Sequence, residues 1–365
     1  MASSASAVSN RKRIAIIPGD GVGKEVIPEA VKVLKAAAAA GKREVILTEF
    51  DWGADRYLRD GVTLPSDAPE MFRSDFDAIL LGAMGDPRVP GDRHAADILL
   101  GLRRKLDLYV NIRPCLLFNQ RLTPLKNRTE KDVQFTVLRE NTEGLYTGMG
   151  GFFKKGTPDE IALQEDINTR KGVERILRYA FEFARGRKLK RVCMSDKSNA
   201  LPFGHDLWQR VFSEIRRNYP DIDASHHYID NLLLQMVRDP AQFQVIVTCN
   251  LFGDIASDLG AQLSGGIGLA PSANVNPGHV SLFEPVHGSA PVLAGKNVAN
   301  PIGAILSAAM MFESFGWIAE AQAIETAVRA ALHEQQTTQD LGGQLNTREL
   351  GDWLASATLI RGRSC

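Results

Sequence analysis

Short apolar runs alternating with helix-length segments predict an α/β chain with a largely parallel sheet. Ile14–Ile17 is an apolar run that stops at Pro18-Gly19-Asp20-Gly21, a buried strand followed by a turn. A helix over Glu25–Ala40 follows, closed by Gly41, then strands over Glu44–Phe50 and Asp77–Leu81. The 365 residues are 44% hydrophobic, enough for a sizeable core, and at ~150 residues per domain they predict two domains or one large split one.

The same reading continues along the chain. Strands are expected at Val133–Leu138, Arg191–Ser195 and Val245–Thr248. Helices are expected at Thr169–Arg187, Gly204–Asn218, Pro301–Phe315 and Ile318–His333. Gly148 to Glu160 is rich in Gly and Lys with two adjacent aromatics, either a surface loop or an arm that pairs with a second subunit.

Composition excludes several function classes. Charge is zero, from 43 basic and 43 acidic residues, so there is no footprint for nucleic acid or an anionic membrane. No apolar run approaches the ~20 residues that a membrane helix needs. The small, polar MASSASAVSN start has no apolar segment of a secretory signal, and a cytoplasmic location is expected. Cys115, Cys193, Cys249 and Cys365 are scattered, which predicts three core thiols and one on the tail.

Several clusters carry chemistry. Gly19-Asp-Gly-Val-Gly23 sits between a strand and a helix, but GxGxG is not the GxGxxG dinucleotide fingerprint. Asp254 and Asp258 are four apart and share a helix face. Such a pair repels, and a hard divalent cation would offset the repulsion. The glycine-rich flank (Gly260, Gly265, Gly266, Gly268) argues against a solvated face. Arg103 and Arg113 lie ten residues apart across a helix-to-strand junction and can converge on one anion, since guanidinium forks bind carboxylates bidentately; Arg139 stands out in TVLRENTEG. Tyr146 and Lys197 are acid–base candidates, and Lys197 directly follows a strand, where open α/β sheets place ligands. The Gly-, Pro- and Asn-rich stretch from Glu284 to Pro301 exposes backbone N–H groups suited to phosphates.

Together the motifs IPGDGVGKE, LGAMGDP, LLGLRRKLDLYVNIRP, RENTEGLYTG, SDKSNAL, TCNLFGDIASDL, GGIGLAPSANV and EPVHGSAPVLAGKNVANP closely resemble the β-decarboxylating dehydrogenases of the isocitrate/isopropylmalate family. The resemblance runs from Ile14 to about Leu350. It implies a non-Rossmann, isopropylmalate-dehydrogenase-like α/β fold of two domains with a large twisted mixed sheet flanked by helices. A discontinuous cofactor-binding domain would span 1–108 and 266–365, and a substrate, metal and dimerisation domain 109–265, with an arm near 148–165. The family pattern casts Arg103, Arg113 and Arg139 as the carboxylate clamp, Tyr146 as the acid and Lys197 as the base at the 2-hydroxyl. Asp254 and Asp258 would hold Mg²⁺ or Mn²⁺, with Asp230 and Lys197 reaching in from the second subunit of a homodimer with shared sites. Glu284, His287, Gly288, Ser289, Ala290, Val292 and Asn300 would line the cofactor site.

Substrate and cofactor choice rest on departures within that pattern. Leu99 and Leu100 resemble an isopropyl-contacting pair, and Asp97 would repel a third carboxylate. The implied substrate is the small 2-hydroxy dicarboxylic acid 3-isopropylmalate, of leucine biosynthesis, with D-malate, tartrate or isocitrate as alternatives. RENTEGLYTG reads nearer to isocitrate and tartrate enzymes, and Ala96 stands where isopropylmalate enzymes carry glutamate. Val292-Leu293 carries neither the Asp of NAD-using members nor the Lys-Tyr of NADP-using ones, and with no cation for a 2′-phosphate the expected cofactor is NAD. A non-catalytic regulatory subunit is the alternative outside catalysis, and the intact set of Tyr146, Lys197, Asp230, Asp254 and Asp258 argues against it.

Overall fold

The computed structural model describes residues 9–362, which fall into two compact units, 9–106 with 265–362, and Asp107–Ser264. The start of the chain up to Val8 and the tail thiol Cys365 lie outside the described residues.

The first unit begins with β1 (Arg11–Gly19), α1 (Gly23–Ala40), β2 (Glu44–Glu49), α2 (Ala54–Asp60), α3 (Ala68–Asp75) and β3 (Ala78–Ala83). Two short helices follow, α4 (Arg93–Ala95) and α5 (Gly101–Lys105), with a π turn over Ala96–Leu100 between them. The apolar run of β1 is fully covered, as is all of β3, because parallel strands have helices on both faces. β1 pairs in parallel with both β2 and β3.

The second unit carries β4 (Val110–Leu116), β5 (Gln134–Glu140), the hairpin β6 (Gly150–Phe153) and β7 (Ile161–Gln164), α6 (Arg170–Gly186), β8 (Arg191–Asp196), α7 (Gly204–Ile215), β9 (Asp223–Tyr228), α8 (Ile229–Arg238), β10 (Val245–Thr248) and α9 (Asn250–Leu263). Its sheet runs β4-β5-β10-β8-β9, antiparallel between β4 and β5 and parallel elsewhere. The core beneath includes Phe135, Val137, Leu232, Phe243 and Ile246. α6 presents Val173, Ile176, Leu177, Ala180, Phe181 and Ala184 inward at helical spacing and is capped by the Thr169 hydroxyl on the Gly172 amide.

The chain then returns to the first unit with β11 (Pro271–Val275), β12 (Ser281–Pro285), α10 (Ile302–Ser314), α11 (Ile318–His333) and α12 (Thr347–Gly362). The order there is β2-β1-β3-β12-β11, with β12 parallel to β3 and antiparallel to β11. The strand order in each unit is therefore mixed but largely parallel, as sequence periodicity predicts, with the antiparallel pairs β11–β12 and β4–β5 as the exceptions besides the hairpin β6–β7. The expected helix Gly204–Asn218 ends at Ile215, and a 3-10 turn takes up Arg216–Asn218. The Gly148–Glu160 excursion supplies β6 and the turn of a two-stranded hairpin that β7 completes.

Candidate active site

In the second unit, β5 delivers Arg139 at its carboxyl end, and the RENTEG turn leads into a 3-10 turn bearing Tyr146. α9 follows β10 and presents Asn250, Asp254 and Asp258 along one face. Gly253 lets that helix approach, since a Cβ there would come within 2.6 Å of Arg139 Cβ. At Gly260 a Cβ would run into the Cys115 thiol, so this glycine reflects close packing.

Arg139 is buried, and its guanidinium is fully directed. Nε and Nη2 donate to Asn250 Oδ1 at 2.9 and 2.7 Å, and Nη1 donates to Asp254 Oδ1 at 2.5 Å. Arg113, from β4 and also buried, donates through Nη1 to Asp254 Oδ1 at 3.1 Å and to Ser257 Oγ at 2.8 Å. The same nitrogen lies 3.5 Å from Asp258 Oδ1. Asp254 and Asp258 thus turn toward a common point, as the i,i+4 spacing predicts. Tyr146 donates its hydroxyl to Asp254 Oδ2 at 2.8 Å, and the Arg139 guanidinium stacks 5.1 Å from the ring centroid. Burial raises the Tyr146 phenol above its ordinary value, and the Asp254 charge adds to that. Burial also raises Asp258, against the pull of Arg113 and with the repulsion of Asp254.

This set pairs two arginines with two aspartates, so its charge is balanced before anything binds. A divalent cation together with a dicarboxylate dianion preserves that balance, which is the electrostatic reason the donor set fits the pair together. Two hard oxygen donors aimed at one point suit Mg²⁺ or Mn²⁺. Among the described residues no group of three or more His, Cys, Asp or Glu side chains is gathered as a metal site within this single chain.

Lys197 and Asp230 form a separate pair in the same unit. Lys197 leaves the end of β8, and its Nζ donates to Asp230 Oδ1 at 2.7 Å in the first turn of α8. That bond lowers the Asp230 carboxyl below its ordinary range. The preceding Asp196 is buried and engages Ser198 N, Gln209 and His226. Burial opposes its charge, but those bonds prevail and hold it ionised.

The first unit holds the remaining predicted residues. Arg103 is buried and donates to Glu284 Oε1 at 2.8 Å, an oxygen that also accepts from Asn274 at 2.7 Å. It is therefore engaged by Glu284, whereas Arg113 and Arg139 meet on Asp254. Leu99 and Leu100 lie half-buried on the π turn, and Asp97 accepts from the Thr63 hydroxyl at 3.0 Å. The loop after β12 begins at His287, whose imidazole pKa is lowered by burial, and Gly288, which is exposed. Ser289 is buried and its carbonyl accepts from Val22 N at 2.8 Å. Ala290 has a φ of 39°, and the loop then carries Val292 at its surface, 76% exposed. Glu25 ties the loop down through its two carboxylate oxygens, which accept from Gly295 N at 2.6 Å and Asn297 N at 2.7 Å. Asn300 is buried and spends its amide on Asp340 and Ile302 N.

Sequence reading does not single out Asn250, Ser257, Asp196, His205, Glu25 or the buried Asp20–His94 pair, in which Asp20 Oδ2 lies 2.7 Å from His94 Nε2. The positions of Asn250, Ser257 and Asp196 inside the quoted motifs are the signal that could find them. Burial pushes the thiols of Cys115, Cys193 and Cys249 up to about 12, which fits core packing.

Residues 13–354 match the family model described as isocitrate/isopropylmalate dehydrogenase, and the chain belongs to that family. It is 44% identical over 352 residues to the 3-isopropylmalate dehydrogenase of Thermobifida fusca, covering 96% of this chain and 98% of the relative. It is 47% identical over 328 residues to that of Bifidobacterium longum, covering 89% and 94%. Among solved structures, isocitrate dehydrogenase from Methylococcus capsulatus is similar with a TM-score of 0.87 at 36% identity, covering 95% of this chain and 99% of that one.

Proposed function

We propose that the chain catalyses NAD-dependent, Mg²⁺- or Mn²⁺-dependent oxidative decarboxylation of 3-isopropylmalate. The observation that carries this reading is the convergence of Arg113, Arg139 and Tyr146 on Asp254, with Asp258 turned to the same point. The names of the relatives supply the substrate, and Leu99 and Leu100 supply apolar surface for an isopropyl group.

In this reading Asp254 and Asp258 hold the cation, and the Glu284–Asn300 loop holds the dinucleotide, with Val292 offering no charge to a 2′-phosphate. When bound, the cation supplies Lewis acidity at the substrate oxygens and the nicotinamide accepts the hydride. Arg113 and Arg139, with Arg103, orient the two carboxylates. Lys197 takes the proton of the 2-hydroxyl, and Tyr146 returns a proton to carbon once CO₂ has left. The GDGVG turn, which departs from the GxGxxG spacing, supports reading the cofactor site as non-Rossmann.

Lys197 and Asp230 are read as serving the site of a second copy in a homodimer. The hairpin bears Phe152 at 62% and Leu163 at 64% exposure, and α8 bears Leu234 at 68%, apolar surface of the kind that marks an interface. Among the described residues no helix is long and apolar enough to cross a membrane. The biosynthetic relatives support reading the chain as a cytoplasmic enzyme of small-molecule substrates. The test is NADH production with Mn²⁺ across 3-isopropylmalate, isocitrate, D-malate and tartrate. Turnover fastest on 3-isopropylmalate supports the reading, and preference for another acid, or none, overturns it.

A further inference from the structure

Lys197 is held by its backbone as well as by its side chain. The strand β8 ends at Asp196, and the chain turns through SNALPFG into α7. That turn brings His205, in the first turn of α7 and buried, back over the strand end. The Lys197 backbone N–H donates to His205 Nδ1 at 2.9 Å. Nδ1 accepts only when it carries no proton, so this bond fixes the imidazole as neutral with its hydrogen on Nε2. Nε2 looks toward Asp166 Oδ2 at 3.8 Å, and the ring packs 5.3 Å from Phe252 of α9.

We propose that His205 is a positioning residue for Lys197: its neutral imidazole accepts the lysine backbone N–H and fixes where the side chain leaves the strand. The inference rests on the reading of Lys197 as the group that takes the hydroxyl proton. Protonating His205 places an N–H on Nδ1 against the N–H of Lys197. Two donors then face each other, and the strand end loses its anchor. The charged groups that act on the ring are Asp196 at the end of β8 and Asp166 from the segment before α6, while Lys197 meets it through its backbone N–H and α9 offers the apolar Phe252. Burial lowers the His205 pKa and outweighs the two carboxylates, so the accepting form holds at neutral pH. The predicted consequence is an acid limb in kcat that belongs to His205.

The experiment compares His205→Leu, His205→Asn and Lys197→Ala with the wild-type holoenzyme. Asparagine can place an amide oxygen near the Nδ1 position and does not titrate. His205→Leu should lose about tenfold or more in kcat on the neutral plateau, a deficit that narrows below the wild-type acid limb, with KM for 3-isopropylmalate within about twofold. His205→Asn should recover most of that loss, and its acid limb should move down by about half a pH unit or more. A His205→Leu enzyme with wild-type kcat, or a His205→Asn enzyme whose acid limb stays put, overturns the proposal. Should His205→Leu fail to fold, the His205→Asn pH profile decides alone. Lys197→Ala separates the two levels: if it binds ligand but does not turn over, a silent His205 series sinks only the positioning role. If Lys197→Ala stays active, the reading of the base falls, and the positioning role with it.

Discussion

Tyr146 gives its hydroxyl hydrogen to Asp254 Oδ2 at 2.8 Å, the carboxylate that also receives two arginines. The phenol is thereby kept in its protonated form by burial first and by the neighbouring charge second. A group meant to donate a proton is well served by such a setting.

Tyr146→Phe keeps the ring, its contact with Arg139 and most of the packing, and removes only the proton. kcat should fall by about 10²- to 10⁴-fold, the range for a lost general acid, while KM for the substrate changes little. Because the phenol pKa is raised, its ionisation should not limit the wild type across pH 7–9. Steady-state rates over that range decide the point, and a wild-type-like kcat in the variant would remove Tyr146 from the chemistry.

Chelation should abolish turnover, and Mg²⁺ or Mn²⁺ should restore it. The two aspartates will respond differently to amidation. Asp254 is the shared counterion of two buried guanidinium groups, so Asp254→Asn should weaken folding by about 1–3 kcal/mol besides losing the metal. Asp258 is half exposed and lies only at the edge of Arg113, so Asp258→Asn should lose metal affinity with under about 1 kcal/mol of stability. Urea melts and metal titrations of both variants check this, and equal melts would contradict the assignment of Asp254.

Val292 is exposed and its side chain packs little, so Val292→Asp should leave stability within about 0.5 kcal/mol. A carboxylate there should lower KM for NAD and leave kcat nearly unchanged, since the adenosine end binds ground and transition states alike. kcat/KM with NAD and NADP in both proteins is the measurement. A wild-type preference for NADP would mean the loop is read wrongly.

The hairpin offers a test of the shared site. Phe153 and Ile161 face each other across the two strands, as do Gly151 and Leu163. Phe153→Asp with Leu163→Asp should weaken self-association, read by light scattering, and activity should fall with it. Mixed Lys197→Ala and Asp258→Ala chains should regain activity as heterodimers. Confirmed heterodimers that stay inactive would argue for sites built from one chain.

The strands and helices legible in the sequence are those whose apolar pattern matches their burial. β3 and β10 are continuous apolar runs, and all their residues are covered. β4 is hard to read because Asn111, Arg113 and Pro114 interrupt its pattern, and Arg113 is there for Asp254. β9, DASHHY, is a polar strand at the edge of its sheet, and periodicity has little to grip. The carboxylate pair of α9 follows from its spacing alone. That Asp254 also neutralises two arginines does not, because β4, β5 and α9 meet only in space. His205 is illegible for a similar reason: its meaning lies in which ring nitrogen faces an amide eight residues earlier.

The carboxylate of Glu25 grips the loop at Gly295 and Asn297 through main-chain N–H groups, and the tip at Val292 and Leu293 stands clear of that grip. Anchorage and the recognition proposed for the tip are thus written in different parts of the chain. The tip can exchange one side chain for another without loosening the attachment, because the attachment reads no side chain of the loop. A lineage carrying this arrangement can drift in dinucleotide preference by single steps, each folding as well as the last. Glu25, by contrast, has less latitude, since it holds the same two main-chain N–H groups whatever the tip carries.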